Sequence, residues 1–219
     1  MASDNEFTAA DRAQTFLDWT KLNSKVLSIG ATVVVVAAIG FFFYQRSQAL
    51  QASAASRALM LAKQSMSAGN VQLAQSDLQK VYSRYGKTSS GVEAAMILSE
   101  IDYDQGKPQE GVTRLQQVAG VGAASSNRAT ILSLTGDGYA QMGKLAEAAK
   151  AYQDAAAATD YEAEKAFQQS KAARTYQAAG DTAKSRELWT QLLNDPKAQT
   201  VAAEARVRLG ELAGHTAKP

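Results

Sequence analysis

The stretch TGDGYAQMGKLAEAAKAYQDA, residues 135–155, decides the fold. Within it, Gly143 follows an apolar, helix-like segment and precedes the polar Lys144. Glycine ends a helix readily because it adopts a positive φ without strain. Gly69, Gly106 and Gly180 belong to the same series, in which successive glycines are 37 residues apart. Four evenly spaced glycines indicate a repeated structural unit.

Small and large residues recur in register with these glycines. Seven residues before each glycine, and again five residues after it, stands a small residue, whereas a large one stands nine residues after it. The first small set is Ala62, Ser99, Gly136 and Ala173; the second is Ala74, Gly111, Ala148 and Ser185; the large set is Leu78, Leu115, Tyr152 and Trp189. Two helices approach closely only where side chains are small. The pattern therefore predicts four helical hairpins that turn at the glycines and stack into an α-solenoid, with the large residues buried.

Two of the units resemble tetratricopeptide repeats (TPR). The third reads Thr135-Gly136-x-x-Tyr139 and Ala148-x-x-x-Tyr152, and the fourth reads Ala172-Ala173-x-x-Tyr176 and Ser185-x-x-x-Trp189. These follow the family's L-G-x-x-Y and A-x-x-x-F frames, whereas units one and two have Ser65 and Asp102 at the tyrosine position. Leu209-Gly210 restarts a fifth unit, which indicates a C-terminal capping helix. The resemblance implies an all-α fold with nine helices over residues 50–213.

An uncharged run precedes the repeats. Residues 26–45 read VLSIGATVVVVAAIGFFFYQ, between Lys25 and Arg46. Twenty helical residues rise about 30 Å, the thickness of the hydrocarbon core, so the run predicts a transmembrane helix. A cleavable signal peptide is the alternative, because Ser47-Gln48-Ala49 resembles a cleavage site. Against it, the run is long for a signal sequence and an acidic segment precedes it.

The span divides the chain into predicted regions. Residues 1–25 form a tail with a short amphipathic helix at 8–22, residues 46–213 form the solenoid, and residues 214–219 form a second tail. Lys21 and Lys25 favour a cytoplasmic N-terminus, although the positive charges near the two ends of the span are otherwise balanced. Small residues share one stripe of the span with larger ones, and we expect this face to pack on another transmembrane helix. The stripe comprises Gly30, Val33, Ala37, Gly40 and Tyr44.

The order and proportions of these regions resemble the YfgM-type inner-membrane TPR proteins. That resemblance implies a single-pass protein of the bacterial inner membrane, with a cytoplasmic N-terminus and a periplasmic solenoid. It also implies a role ancillary to the Sec translocon and contact with periplasmic chaperones.

Composition argues against several classes of function. With 23 Lys and Arg against 21 Asp and Glu, the chain lacks the basic excess of a nucleic-acid-binding protein. There is no cysteine, and His215 is the single histidine, so triads that need histidine and multi-histidine metal sites are excluded. The acidic pairs Asp102/Asp104 and Glu162/Glu164 are expected on the solvated surface. We predict no enzymatic activity, no cofactor, no metal and no nucleic-acid partner.

The TPR resemblance places a partner groove along the first helix of each unit. By register, the groove residues are Lys63, Met66, Glu93, Met96, Glu100, Tyr103, Asp137, Gln141, Phe167, Ser170, Arg174 and Gln177. Leu59, Ile97 and Leu134 stand where the family's polar carboxylate clamp would be, so capture of a C-terminal carboxylate is not expected. Each groove residue could equally be ordinary solvated helix surface.

The sequence thus predicts a non-catalytic, membrane-anchored TPR scaffold. It would be an accessory subunit that binds and stabilises a larger inner-membrane complex through its span and solenoid. Expected partners are proteins of a translocon or an energy-transducing complex, together with membrane lipid. The alternative is a Sec-associated adaptor or a periplasmic chaperone-like protein.

Overall fold

The computed structural model describes residues 24–216, together with residues 14, 19 and 22. Within those bounds the chain is helical and contains no strand. The α-helices are α1 (Ser24–Ser67), α2 (Val71–Tyr85), α3 (Ser89–Asp104), α4 (Pro108–Ala119), α5 (Arg128–Gln141), α6 (Leu145–Ala157), α7 (Glu162–Ala178), α8 (Thr182–Asn194) and α9 (Gln199–Thr216). Most of the predicted amphipathic helix at 8–22 and the last residues of the C-terminal tail lie outside the described residues.

The helices pair as the repeat predicts. The C-terminal part of α1 shares a buried cluster with α2, in which Leu59 and Ala62 meet Leu78. The pairs α3/α4, α5/α6 and α7/α8 form the next three hairpins. Helix α9 packs on α8 and α7 as a cap. The predicted all-α solenoid of four hairpins and a capping helix is therefore confirmed. A 3-10 helix at Gly122–Asn127, between α4 and α5, was not predicted.

All four predicted turns lie at the predicted glycines. Gly69, Gly106, Gly143 and Gly180 have φ values of 79°, 73°, 72° and 82°. At each turn the residue after the glycine donates its N–H to a carbonyl five residues back, for example Lys144 to Tyr139 at 2.9 Å. This pattern satisfies carbonyl groups that the helix end leaves without a partner. The repeated glycine is thus explained by the backbone that it must adopt.

Small residues allow the paired helices to approach. A Cβ atom at Gly111 would lie 2.4 Å from the Tyr103 ring, and one at Gly136 would lie 2.6 Å from the Tyr152 ring. Either distance is far too short for a real contact, so these rings require glycine opposite them. The large residues Leu78, Leu115, Tyr152 and Trp189 are buried, as the register predicts.

Asp102 departs from the expectation for the acidic pairs. Its side chain is only 4% exposed and forms an ion pair with Arg114 Nη2 at 2.9 Å. Arg114 also donates through Nη1 to Gln79 Oε1 at 3.2 Å. The expectation of a solvated Asp102 was wrong because the tyrosine position of unit two faces the interior. A charged pair there satisfies groups that would be costly to bury alone.

The described part of the chain divides into two compact units between Leu50 and Gln51, within α1. By length and composition, α1 is long and apolar enough to cross a membrane, and no other helix of the described segment is. The valine side chains from Val33 to Val36 and the phenylalanine side chains from Phe41 to Phe43 are exposed. The predicted boundary between span and solenoid at residue 45 is not marked by a helix break.

Trp189 anchors the core of the C-terminal hairpins and is 0% exposed. We expect Trp189→Ala to lower the free energy of unfolding by about 3–5 kcal/mol, as for other large-to-small core changes. Trp189→Phe should cost less. The buried indole N–H has no hydrogen-bond partner within the described region, so removing it also removes the free-energy cost of burying it unpaired. The measurement is urea unfolding followed by far-ultraviolet circular dichroism. Tyr161→Ala is the control, because Tyr161 is 77% exposed; equal effects at Tyr161 and Trp189 would contradict the assignment.

Candidate interaction groove

The first helices of the hairpins enclose a concave pocket of about 690 Å³, here called the α3–α5 pocket. Most of its lining comes from α3 and α5, with one residue each from α1 and α6. The lining residues are Met66, Ile97, Glu100, Ile101, Tyr103, Asp104, Leu134, Asp137, Ala140, Gln141 and Tyr152.

The apolar part of the pocket is held in shape by Tyr103. Its hydroxyl donates to the backbone carbonyl oxygen of Leu134 at 2.9 Å, which joins α3 to α5. A Cβ at Gly138 would lie 2.6 Å from the same hydroxyl and 2.4 Å from a Val112 methyl group, so glycine is required there. The fixed distance between the two helices leaves Ile97 and Leu134 half-buried, and together they form an aliphatic wall of the pocket.

Asp137 is the centre of a polar network at one side of the pocket. Its Oδ1 accepts hydrogen bonds from Tyr152 Oη and from Lys171 Nζ, each at 2.6 Å. Lys171 Nζ also donates to Ser133 Oγ at 3.2 Å and lies 4.4 Å from the centroid of the Tyr152 ring. The negative charge of Asp137 is therefore matched by an ammonium group that stacks on an aromatic face.

The opposite side of the pocket has carboxylates that are not paired with a cationic side chain. Glu100 and Asp104 are exposed and make no ion pair with any residue that the structure describes. Partial burial raises the pKa of Glu100, and the neighbouring charges of Asp104 and Asp137 raise it further. The local field in the pocket is therefore negative.

The two tyrosines of the pocket stay protonated. Burial, together with the charge of Asp137, raises the pKa of Tyr103 well above its ordinary value. Burial and the hydrogen bond to Asp137 raise the pKa of Tyr152 in the same way. Both hydroxyls therefore remain hydrogen-bond donors, to a carbonyl in one case and to a carboxylate in the other.

Part of the predicted groove converges on this pocket. Met66, Glu100, Tyr103, Asp137 and Gln141 all line it. Ile97 and Leu134, which the sequence places where a polar clamp would be, form the aliphatic wall. The remaining predicted residues lie elsewhere on the same series of helices.

Lys63 and Glu93 form an ion pair between α1 and α3. Met96 is half-buried and packs on the core of the second hairpin. Phe167 is exposed near Lys171, Gln177 is half-buried, and Arg174 pairs with Glu204 at 3.2 Å.

Ser170 does not lie on an exposed face as the groove assignment requires. It is 0% exposed, donates to the Phe167 carbonyl at 2.7 Å and accepts from Arg174 Nη2 at 2.8 Å. The equivalent residues Leu59 and Ser133 are buried as well, so this register position faces the helix interface rather than the groove.

Sequence reasoning missed Tyr152 and Asp104 as pocket residues, and it missed Lys171, which lies beside the pocket and pairs with Asp137. Lys171 stands nine residues before Gly180, the same register as Ile97 before Gly106 and Leu134 before Gly143. Comparison of that register across units would have singled out a lysine among aliphatic residues. Tyr152 was assigned to the core, and the structure shows that it reaches both the core and the pocket.

Among the residues described, no group of three or more His, Asp or Glu side chains is placed to hold a metal ion. The predictions that the chain needs no cofactor and is not an enzyme stay predictions.

A solenoid of helical hairpins with a groove along its first helices defines a class of protein–protein interaction scaffolds. The chain belongs to the family of tetratricopeptide repeat-like domains, whose sequence pattern matches residues 18–132 and again residues 54–172. Among curated proteins, none matches the sequence significantly.

Solved structures share this fold at low identity. The nearly identical TPR-like repeats of a Podosopora anserina protein described as a kinesin light chain are 20% identical, with a TM-score of 0.55 over 77% of this chain and 99% of that one. A single-substitution variant of those repeats gives the same identity and TM-score over 74% and 94% of the two chains. Pseudomonas aeruginosa pilF is 12% identical, with a TM-score of 0.43 over 75% and 91%.

The raised pKa of Glu100 gives a stability test. A raised pKa in the folded state means that the charged form disfavours folding once the pH exceeds about 4.3, the ordinary glutamate value. We therefore expect Glu100→Gln to increase the free energy of unfolding at neutral pH, by less than about 1 kcal/mol because the side chain is exposed. The gain should vanish in acid, where the wild-type carboxyl is protonated in both states.

Urea unfolding of the two proteins over a series of pH values measures this difference. Glu147→Gln is the matched control, because Glu147 lies in the first turn of α6, where the helix dipole favours a negative charge. The control should lose stability at neutral pH. If Glu100→Gln also lost stability at neutral pH, the result would contradict the negative electrostatic field described for the pocket.

Proposed function

We propose that this protein is a non-catalytic, membrane-anchored scaffold, an accessory subunit that binds and stabilises a larger bacterial inner-membrane complex. In this proposal the apolar part of α1 spans the bilayer once, the N-terminus is cytoplasmic and the solenoid is periplasmic. The span and the solenoid groove both contact the complex.

The observation that carries the membrane part is the exposed apolar surface of α1. Consecutive side chains from Val33 to Val36 and from Phe41 to Tyr44 are all more than half exposed. Water-soluble monomers rarely leave so large a contiguous apolar surface in water. A lipid environment would cover it, and the run is long enough to cross one.

The observation that supports the scaffold part is the α3–α5 pocket. It is a concave, partly apolar surface on a rigid series of packed helices, which is a common form of partner site in repeat proteins. The pocket residues make no nucleophile–base pair, since Asp137 is engaged by Lys171 and both tyrosine hydroxyls donate to fixed acceptors.

A Sec-associated adaptor or a periplasmic chaperone-like protein is the second candidate. Its support is the first hairpin, where Met60, Leu61 and Leu73 are all more than half exposed. Flexible methionine and leucine side chains suit contact with unfolded segments of varied sequence.

Co-purification after mild detergent extraction separates the two candidates. A stoichiometric transport or energy-transducing complex supports the scaffold, whereas Sec subunits or periplasmic chaperones support the adaptor. Recovery of the chain alone, under conditions that preserve known membrane complexes, would contradict the scaffold proposal.

The role of the span can be tested in the same experiment. Gly30→Leu with Ala37→Leu should preserve membrane insertion but weaken co-purification, because leucine prevents close helix approach in lipid. Among the described residues, and apart from the neighbouring backbone of α1 itself, nothing lies within 4 Å of a Cβ placed at Gly30, so a side chain can be added there. The control is Val35→Leu with Ile39→Leu, which lie on the opposite face of the helix. Equal behaviour of the two variants would mean that the span is only an anchor.

Reporter fusions test the proposed orientation. Alkaline phosphatase fused after Pro219 should be active in a bacterial host, because this enzyme requires disulfides that form in the periplasm. A cytoplasmic reporter at the same point should be inactive. The reverse pair of results would place the solenoid in the cytoplasm and overturn the assignment based on Lys21 and Lys25.

A further inference from the structure

We infer that the α3–α5 pocket binds a short segment of a protein partner that presents a lysine or arginine side chain next to an aliphatic one. This inference rests on the proposed scaffold function and names the chemistry of its partner. It is carried by two features of the pocket, its unmatched negative charge and its aliphatic wall.

The charge of the pocket selects a cation. Glu100 and Asp104 have no cationic partner in the described part of the chain, and Asp137 adds a third carboxylate on the facing helix. Lys171 neutralises only Asp137, from the side of α7. A cationic side chain entering between α3 and α5 would balance the charges of Glu100 and Asp104, whereas an acidic segment would be repelled by them.

The chain itself shows how an ammonium group is held beside this pocket. Lys171 lies against the carboxylate of Asp137 and over the ring of Tyr152. A partner cation on the other side would meet the carboxylates of Glu100 and Asp104, which line the pocket together with Tyr103. Carboxylates beside an aliphatic wall favour lysine or arginine over a small inorganic cation, because the wall can cover the methylene stem of either side chain.

The aliphatic wall determines what accompanies the cation. Ile97, Leu134 and Ala140 are half-buried, and Met66 is 37% exposed at the edge. These side chains would cover the methylene stem of the cation and one neighbouring aliphatic residue. The volume of about 690 Å³ is sufficient for a few side chains of an extended segment.

Peptide binding tests the inference directly. The probe is a fluorescent, acetylated and amidated pentapeptide, Ala-Leu-Lys-Leu-Ala, added to the full-length protein in nonionic detergent at low ionic strength. Fluorescence anisotropy measures the dissociation constant. The same peptide with norleucine or glutamate in place of lysine should bind more weakly, with glutamate the weakest.

A carboxylate-to-amide variant assigns the binding to the pocket. Glu100→Gln with Asp104→Asn should weaken binding of the lysine peptide by about 3- to 30-fold, and salt should weaken wild-type binding more than that of the variant. Glu147→Gln with Asp160→Asn changes the net charge equally at exposed positions outside the pocket and should bind as wild type does. Circular dichroism confirms that both variants are folded.

Several results would overturn the inference. They are equal binding by the pocket variant and the wild type, equal binding of the norleucine peptide, and a loss of binding in the control variant. Sedimentation showing a dimer that the pocket variant abolishes would assign the pocket to a second copy of this chain instead.

Failure of this inference differs from failure of the scaffold proposal. A chain that co-purifies with a membrane complex but binds no cationic peptide overturns the pocket inference alone. A chain that binds the peptide as described but co-purifies with no complex overturns the scaffold proposal alone.

Discussion

The close approach of the two helices in each hairpin is the constraint on which the rest of the structure depends. It requires a small residue on both helices, as at Ser99 and Gly111 in the second hairpin and Gly136 and Ala148 in the third. Once the backbones are close, one large side chain per hairpin fills the remaining space. The glycine with positive φ then fixes where the chain reverses, so the same geometry recurs along the solenoid.

This packing also shapes the groove. Tyr152 fills the space opposite Gly136, and its hydroxyl reaches Asp137 on the pocket side. Tyr103 likewise lies opposite Gly111 and bonds to the carbonyl of Leu134. The spacing of the core therefore extends to the surface of the groove, where the buried Tyr152 holds the carboxylate of Asp137.

The fold could be predicted well from the sequence, because equal spacing constrains every unit at once. The turns, the small residues and the buried large residues all followed from the register of the glycines. The site was predicted only in part. Asp102 was placed in solvent and Ser170 in the groove, because register shows which positions are equivalent but not which neighbour each side chain meets. Lys171 was missed because its pairing with Asp137 joins separate hairpins, a contact that no local pattern encodes.

The equal interval between glycines has a consequence for how such a chain can change in length. Each unit begins and ends at the same register position. The surface that a hairpin uses to contact the next unit is therefore of the same kind as the surface that the previous hairpin uses to contact it. An in-frame duplication of one period of the coding sequence would therefore insert a complete hairpin and leave both flanking contacts intact. An ancestral chain could have lengthened by whole hairpins, after which single surface residues such as Lys171 diverged. This history would account for units that share their turns but differ in charge.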